Sequence, residues 1–139
     1  MHRALAATHA SIAELDRLRR SGMRIDAVDE DGLTCLYVAA AGGEAEVVDW
    51  LLSRGADAAV VNPEDGRTPL HAASAAGHVA VAALLVRAGA NSLARDGSGL
   101  TPPELAQRSM HLDVVRAFLE HSRDEQKAAK AAARVVYTY

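Results

Sequence analysis

The stretch from Asp65 to Asn91 constrains this chain more than any other. It opens Asp-Gly-Arg-Thr-Pro-Leu-His, runs through alanine-rich sequence to Gly77, and continues with a second apolar run from Val79 to Val86 that stops at Gly89. Pro69 sits just inside a helix start, the one helical position where a missing N–H costs nothing. Gly77 and Gly89 stop the two helices, as glycine does where a left-handed residue is needed. The unit is therefore turn, helix, tight turn, helix, turn. Two short helices cannot bury both their faces alone, so such a unit needs copies of itself alongside. The sequence supplies them. Gly32, Gly66 and Gly99 are spaced by 34 and 33 residues, and Thr34, Thr68 and Thr101 keep the same spacing. Gly22, Gly55 and Gly89 repeat at 33 and 34. Val47 and Leu51 return as Val81 and Leu85, then as Val114 and Phe118.

Thr68 to Ala73 matches the Thr-Pro-Leu-His-x-Ala signature in full, at the 33-residue period that goes with it. On these residues the chain resembles the ankyrin-repeat family. The resemblance implies an all-α solenoid of stacked helix-turn-helix units with β-hairpin-like finger turns, in about four repeats, the outer two serving as caps. Aligned on the glycines and threonines, the repeats fall at about 1–28, 29–61, 62–95 and 96–121. An extension at 122–139 follows, helical or partly disordered. It is rich in Ala, Lys, Glu and Gln, which are strong helix formers.

Each repeat departs from the signature in its own way. In the first, Ser11 and Glu14 have capping-box spacing, Ile12, Leu15 and Leu18 make an apolar stripe, and Ala4 to Thr8 would be a short first helix. Arg17, Arg19 and Arg20 fit the solvated face of a cap. The second repeat has Thr34-Cys35-Leu36-Tyr37 in place of the signature, with Tyr37 expected to donate one hydrogen bond, and it places Trp50 as a packing residue. One extra residue precedes the third repeat. The spacing places it within Val60 to Pro63, with Pro63 at the position of Asp29 and Asp96. The fourth reads Thr101-Pro102-Pro103-Glu104 and carries Met110 where earlier repeats have glycine, so that turn is expected to differ in shape. Leu105, Leu112, Val115, Phe118 and Leu119 read as its packing stripe.

Composition narrows the function classes. Half the residues are apolar but only 4% are aromatic, so alanine carries a core of close-packed short helices rather than a large ligand cavity. The net charge of −3 argues against general nucleic-acid affinity. The segment 122–139 holds four basic and two acidic residues, net +2, which leaves −5 for residues 1–121. A single cysteine, Cys35, excludes an intrachain disulfide framework. With no apolar run of membrane-spanning length and no signal-peptide pattern at the start, a cytoplasmic protein is expected, without membrane insertion.

No catalytic set stands out, and no cofactor is implied. The histidines read as hydrogen-bonding residues at helix starts and turns, His71 in the signature and His78 and His111 at equivalent positions of successive repeats, rather than as ligands converging at metal-ligand spacing. Cys35 lies at a helix N-terminus, where thiolate is favoured, but lacks the partners a nucleophile needs. No glycine pattern makes a phosphate loop.

What remains is surface. The resemblance implies that finger tips and the concave face of the first helices bind another protein. Alignment carries this to Glu30, Asp31 and Leu33, then Glu64, Asp65 and Arg67, then Ser98 and Leu100, with Ala41, Ala75 and Arg108 at the helix ends. Asp26, Asp29, Glu30, Asp31, Glu64, Asp65 and Asp96 make the edge acidic, opposed mainly by Arg67 and Arg95. The expected partner is a segment with basic residues for the tips and apolar ones for a groove lined by small residues. The expected function is a non-enzymatic adaptor or scaffold. The alternative is an inhibitor or regulatory subunit that clasps an enzyme such as a protein kinase. The chain is expected as a monomer, with the C-terminal tail as a route to a dimer.

Overall fold

The computed structural model describes residues 12–137, with side chains 128, 129 and 131–137 left out. The helix expected at Ala4 to Thr8 and the Ser11 half of the capping box lie outside the described residues. Among those described there are seven α-helices and no strand: α1 (Ile12–Arg20), α2 (Cys35–Ala41), α3 (Ala45–Ser53), α4 (Pro69–Ala76), α5 (Val79–Arg87), α6 (Pro102–Arg108) and α7 (Leu112–Tyr137). The helices pack in two layers. The first helices α2, α4 and α6 stack in order, the second helices α3, α5 and α7 stack behind them, and each pair closes on itself.

Threonine starts every described first helix. Thr34, Thr68 and Thr101 hold extended backbone, and their hydroxyls accept from the N–H groups of Tyr37, His71 and Glu104. Such a cap satisfies one of the helix's orphan N–H groups. Leu36, Leu70, Leu51, Leu85, Val48, Val81 and Val114 then bury completely between the layers. Each such side chain contributes about 1.5–3 kcal/mol relative to exposure. Alanines at 39, 40, 73, 82 and 106 fill the close approaches. Ser74 is the odd member of this core: it is fully buried and its hydroxyl has no partner among the described residues.

Histidine ties one repeat to the next in two ways. The Nδ1 of His71 accepts from the Thr68 N–H at 3.1 Å, which leaves Nε2–H to donate to the Leu100 carbonyl at 2.8 Å in the following finger. His78 lies over Gly43, and its Nε2 donates to the Ala41 carbonyl at 3.1 Å. His111 lies over Gly77 in the same way. A methyl on Gly77 would come within 2.7 Å of the His111 ring.

Two expectations from the sequence are corrected here. Met110 does not change its turn. It takes φ 63°, beside 72° at Gly43 and 82° at Gly77, and repeats their hydrogen bonds, Met110 N–H to Gln107 and His111 N–H to Ala106. Among the described residues no histidine of a following repeat lies over it, so a side chain fits where Gly43 and Gly77 have none. The second correction concerns the stripe of the last helix. Leu105 and Val114 are buried and Val115 and Phe118 half-buried, but Leu112 and Leu119 are 60% and 57% exposed. Nothing in the described chain stacks on that side. Trp50 packs half-buried against the core with the Arg54 guanidinium 4.3 Å above its ring.

Candidate protein-binding surface

Three hairpin-like fingers precede the first helices. Finger A is built on Asp29. Its N–H donates to the Leu33 carbonyl at 2.9 Å, and its carboxylate accepts from the N–H groups of Asp31 and Leu33, both at 2.9 Å. Val28 and Thr34 bridge below it. Finger C repeats this on Asp96, which pairs its N–H with Leu100 and accepts from Ser98 and Leu100.

Finger B shows where the extra residue sits. Asn62, not Pro63, takes the place of Asp29 and Asp96: its N–H donates to the Arg67 carbonyl at 2.8 Å and its side chain accepts from Glu64. The work of one aspartate is thereby split, because Asp65 accepts from the Arg67 N–H at 3.0 Å. The insertion lies after Asn62. It also changes how fingers meet. The Gly97 N–H of finger C donates to the Asp65 carbonyl at 2.8 Å, an approach that a side chain at 97 would block. Between A and B, Pro63 fills that space against Gly32, and no backbone hydrogen bond joins the two among the described residues. The Asn62 amide reaches the Tyr37 hydroxyl at 3.5 Å, so Tyr37 accepts rather than donates.

The acidic edge is less uniform than its sequence. Asp26 accepts from the Asp57 N–H. Asp29, Asp65 and Asp96 hold their own turns. Arg67 Nε lies 3.5 Å from the Asp96 carboxylate and 3.9 Å from that of Asp65, and Arg95 donates to the Gly99 carbonyl. Burial pushes the Asp96 carboxyl up, but the N–H groups of Leu100 and Ser98, with His71 and Arg67 nearby, outweigh it and hold the carboxyl below its ordinary value. Glu30, Asp31 and Glu64 remain as exposed carboxylates whose side chains make no hydrogen bond or ion pair among the described residues.

Of the other residues the sequence points to, Ala41, Ser98 and Arg108 are exposed, and Leu33, Arg67, Ala75 and Leu100 are half-buried. The Ala41 and Leu100 carbonyls are engaged by His78 and His71. Asp65, Arg67, Ser98 and Leu100 are brought together where fingers B and C meet. Glu30, Asp31 and Leu33 share finger A, while Arg108 ends α6. Burial first, then the Asp29 charge, push the Cys35 thiol up to about 11 despite its helix-start N–H. No group of three or more His, Cys, Asp or Glu among the described residues could hold a metal ion. No described helix is long and apolar enough to cross a membrane.

The family model described as ankyrin repeats (3 copies) matches residues 1–96 and again 36–132. The chain belongs to the ankyrin-repeat family. Ankyrin repeats are generally protein–protein interaction modules, and typically not enzymes. The two overlapping matches agree with the stacked units seen here. No curated protein matches the chain.

Proposed function

We propose that this ankyrin-repeat chain is a non-enzymatic adaptor that holds a partner segment across fingers A and B and the exposed ends of the first helices. The repeats divide at about 1–28, 29–61, 62–95 and 96–121, with 122–139 as an extension, and the unit works in the cytoplasm as a monomer. One observation carries the reading. Glu30, Asp31 and Glu64 are the finger carboxylates left over once the turns have taken theirs, and small residues, Ala41 and Ala75, lie at the helix ends behind them. Leu33 adds apolar surface in finger A. Asp65, Arg67, Ser98 and Leu100 shape the finger B–C junction, and Arg108 marks its far limit. A segment with basic side chains toward the tips and an apolar face toward the alanines fits this arrangement. Rim charges of this kind set association rate and salt dependence more than raw affinity.

The test is affinity capture with mass-spectrometric identification, comparing the wild type with the triple variant E30K/D31K/E64K. Asp65 is spared because it holds finger B. A protein captured by the wild type alone, and released as salt rises, supports the reading. Equal capture by both chains removes the finger face from the function. Adding the captured protein's own activity assay separates an adaptor from an inhibitor that clasps an enzyme.

A further inference from the structure

The repeat allows the same helix face to be compared three times in one molecule. Ala45, Val48 and Leu52 on α3 correspond to Val79, Ala82 and Val86 on α5, and to Leu112, Val115 and Leu119 on α7. On α3 and α5 this face receives the second helix of the next repeat, and Val48, Ala82 and Val86 are 0%, 1% and 8% exposed. On α7 the residues are as large or larger, yet Leu112 and Leu119 stand 60% and 57% exposed. The face is thus shaped for an α-helix that the described chain does not supply.

A second difference says what kind of helix. Asp49 and Ala56 border the face in the second repeat, and Ala83 and Ala90 in the third. In the last, the corresponding residues are Arg116 and Arg123. Both arginines are exposed, and neither has a carboxylate partner among the described residues. Leu112, Val115, Arg116, Leu119, Glu120 and Arg123 line one shallow groove of about 430 Å³. Lys127 and Lys130 continue the positive border along the exposed part of α7.

We propose that the outer face of α7 is a second docking site, taking an amphipathic helix with an apolar stripe and an acidic border from a partner protein. Leu112, Val115 and Leu119 receive the stripe as Val79, Ala82 and Val86 receive α7 itself. Arg116 and Arg123 select for the acidic border. The site is independent of the finger surface, since it shares no residue with it.

The probe is a synthetic helical peptide with leucines at coiled-coil spacing and glutamates on both borders, whose like charges keep it from pairing with itself. Fluorescence anisotropy measures its binding to the full chain. Saturable binding is expected, weakened about tenfold or more by L112E/L119E. A charge-swapped R116E/R123E chain is expected to lose the glutamate peptide and gain its lysine counterpart. Because all four side chains are exposed, helix content by circular dichroism should match the wild type and exclude misfolding. No binding at millimolar peptide, or equal binding of glutamate and lysine peptides, overturns the proposal. So does a wild-type chain that sediments as a dimer and becomes monomeric in L112E/L119E, which gives the face to a second copy. Binding to anionic phosphatidylserine vesicles in the absence of peptide binding would assign it to a membrane surface instead.

Discussion

Replacing Met110 separates backbone strain from everything else at one position. Met110 holds φ 63° in a turn that Gly43 and Gly77 make at 72° and 82°. Its side chain is 74% exposed, so removing it sacrifices little packing. Both Met110→Ala and Met110→Gly delete that side chain, and they differ only in how the backbone bears a left-handed conformation. That conformation costs an L-residue about 1–2 kcal/mol, and the freer unfolded chain of glycine takes back about 0.4–1 kcal/mol. At the midpoints of those two ranges the glycine variant should therefore be more stable than the alanine variant by about 0.8 kcal/mol. Gly77→Ala is the contrasting case, because it adds the same strain and also sets a methyl 2.7 Å from the His111 ring. It should be the least stable of the three relative to its parent. Urea unfolding followed by Trp50 fluorescence reads the order from the midpoints, provided the slopes agree. An alanine variant as stable as the glycine variant would refute the claim that Met110 is strained.

Three further outcomes follow from buried polar groups. Ser74→Ala should raise stability by about 1 kcal/mol in the same assay, because an unpaired buried hydroxyl is removed and the equivalent position in the second repeat is already Ala40. Asp96 has its folded carboxyl below the ordinary 3.8, so its contribution is present above that value and is lost as pH falls through the lower folded one. Asp96→Asn should lower stability at neutral pH and flatten the acid limb of a stability–pH curve; an unchanged limb would remove Asp96 as its source. Cys35, raised from 9.0 to about 11, should resist alkylation at mildly alkaline pH until the chain unfolds. Its contribution to stability is full below the unfolded value and is lost as pH rises through the folded one.

Capping by Thr34, Thr68 and Thr101 is a local matter, settled within three residues, and so the helix starts were legible from the sequence. The repeat spacing likewise located the two-layer stack and the histidines that join it. The insertion was not placed correctly, because spacing counts residues and cannot tell which side chain holds a turn. Asn62 takes that role through hydrogen bonds to residues two and five positions on. Met110 misled for a related reason: the turn is held by the bonds of Gln107 and Ala106 and by what lies over it, not by glycine alone. On the candidate surface, counting acidic residues overstated the free charge, since Asp29, Asp65 and Asp96 are consumed by their own backbone. Leu112 and Leu119 carry the right residue types for a packed stripe. Whether a neighbour covers them is a tertiary fact that periodicity does not contain.

The unequal joints of the middle finger make the stack mechanically uneven. Finger B is bonded to C through the Gly97 N–H, a directional link that resists sliding, whereas no backbone hydrogen bond joins it to A among the described residues and the Pro63 ring lies beside Gly32. A proline ring in van der Waals contact can roll without breaking anything. The joint between A and B, beside Glu30, Asp31 and Glu64, is therefore expected to yield more readily than that between B and C, and a guest that bridges it would stiffen it.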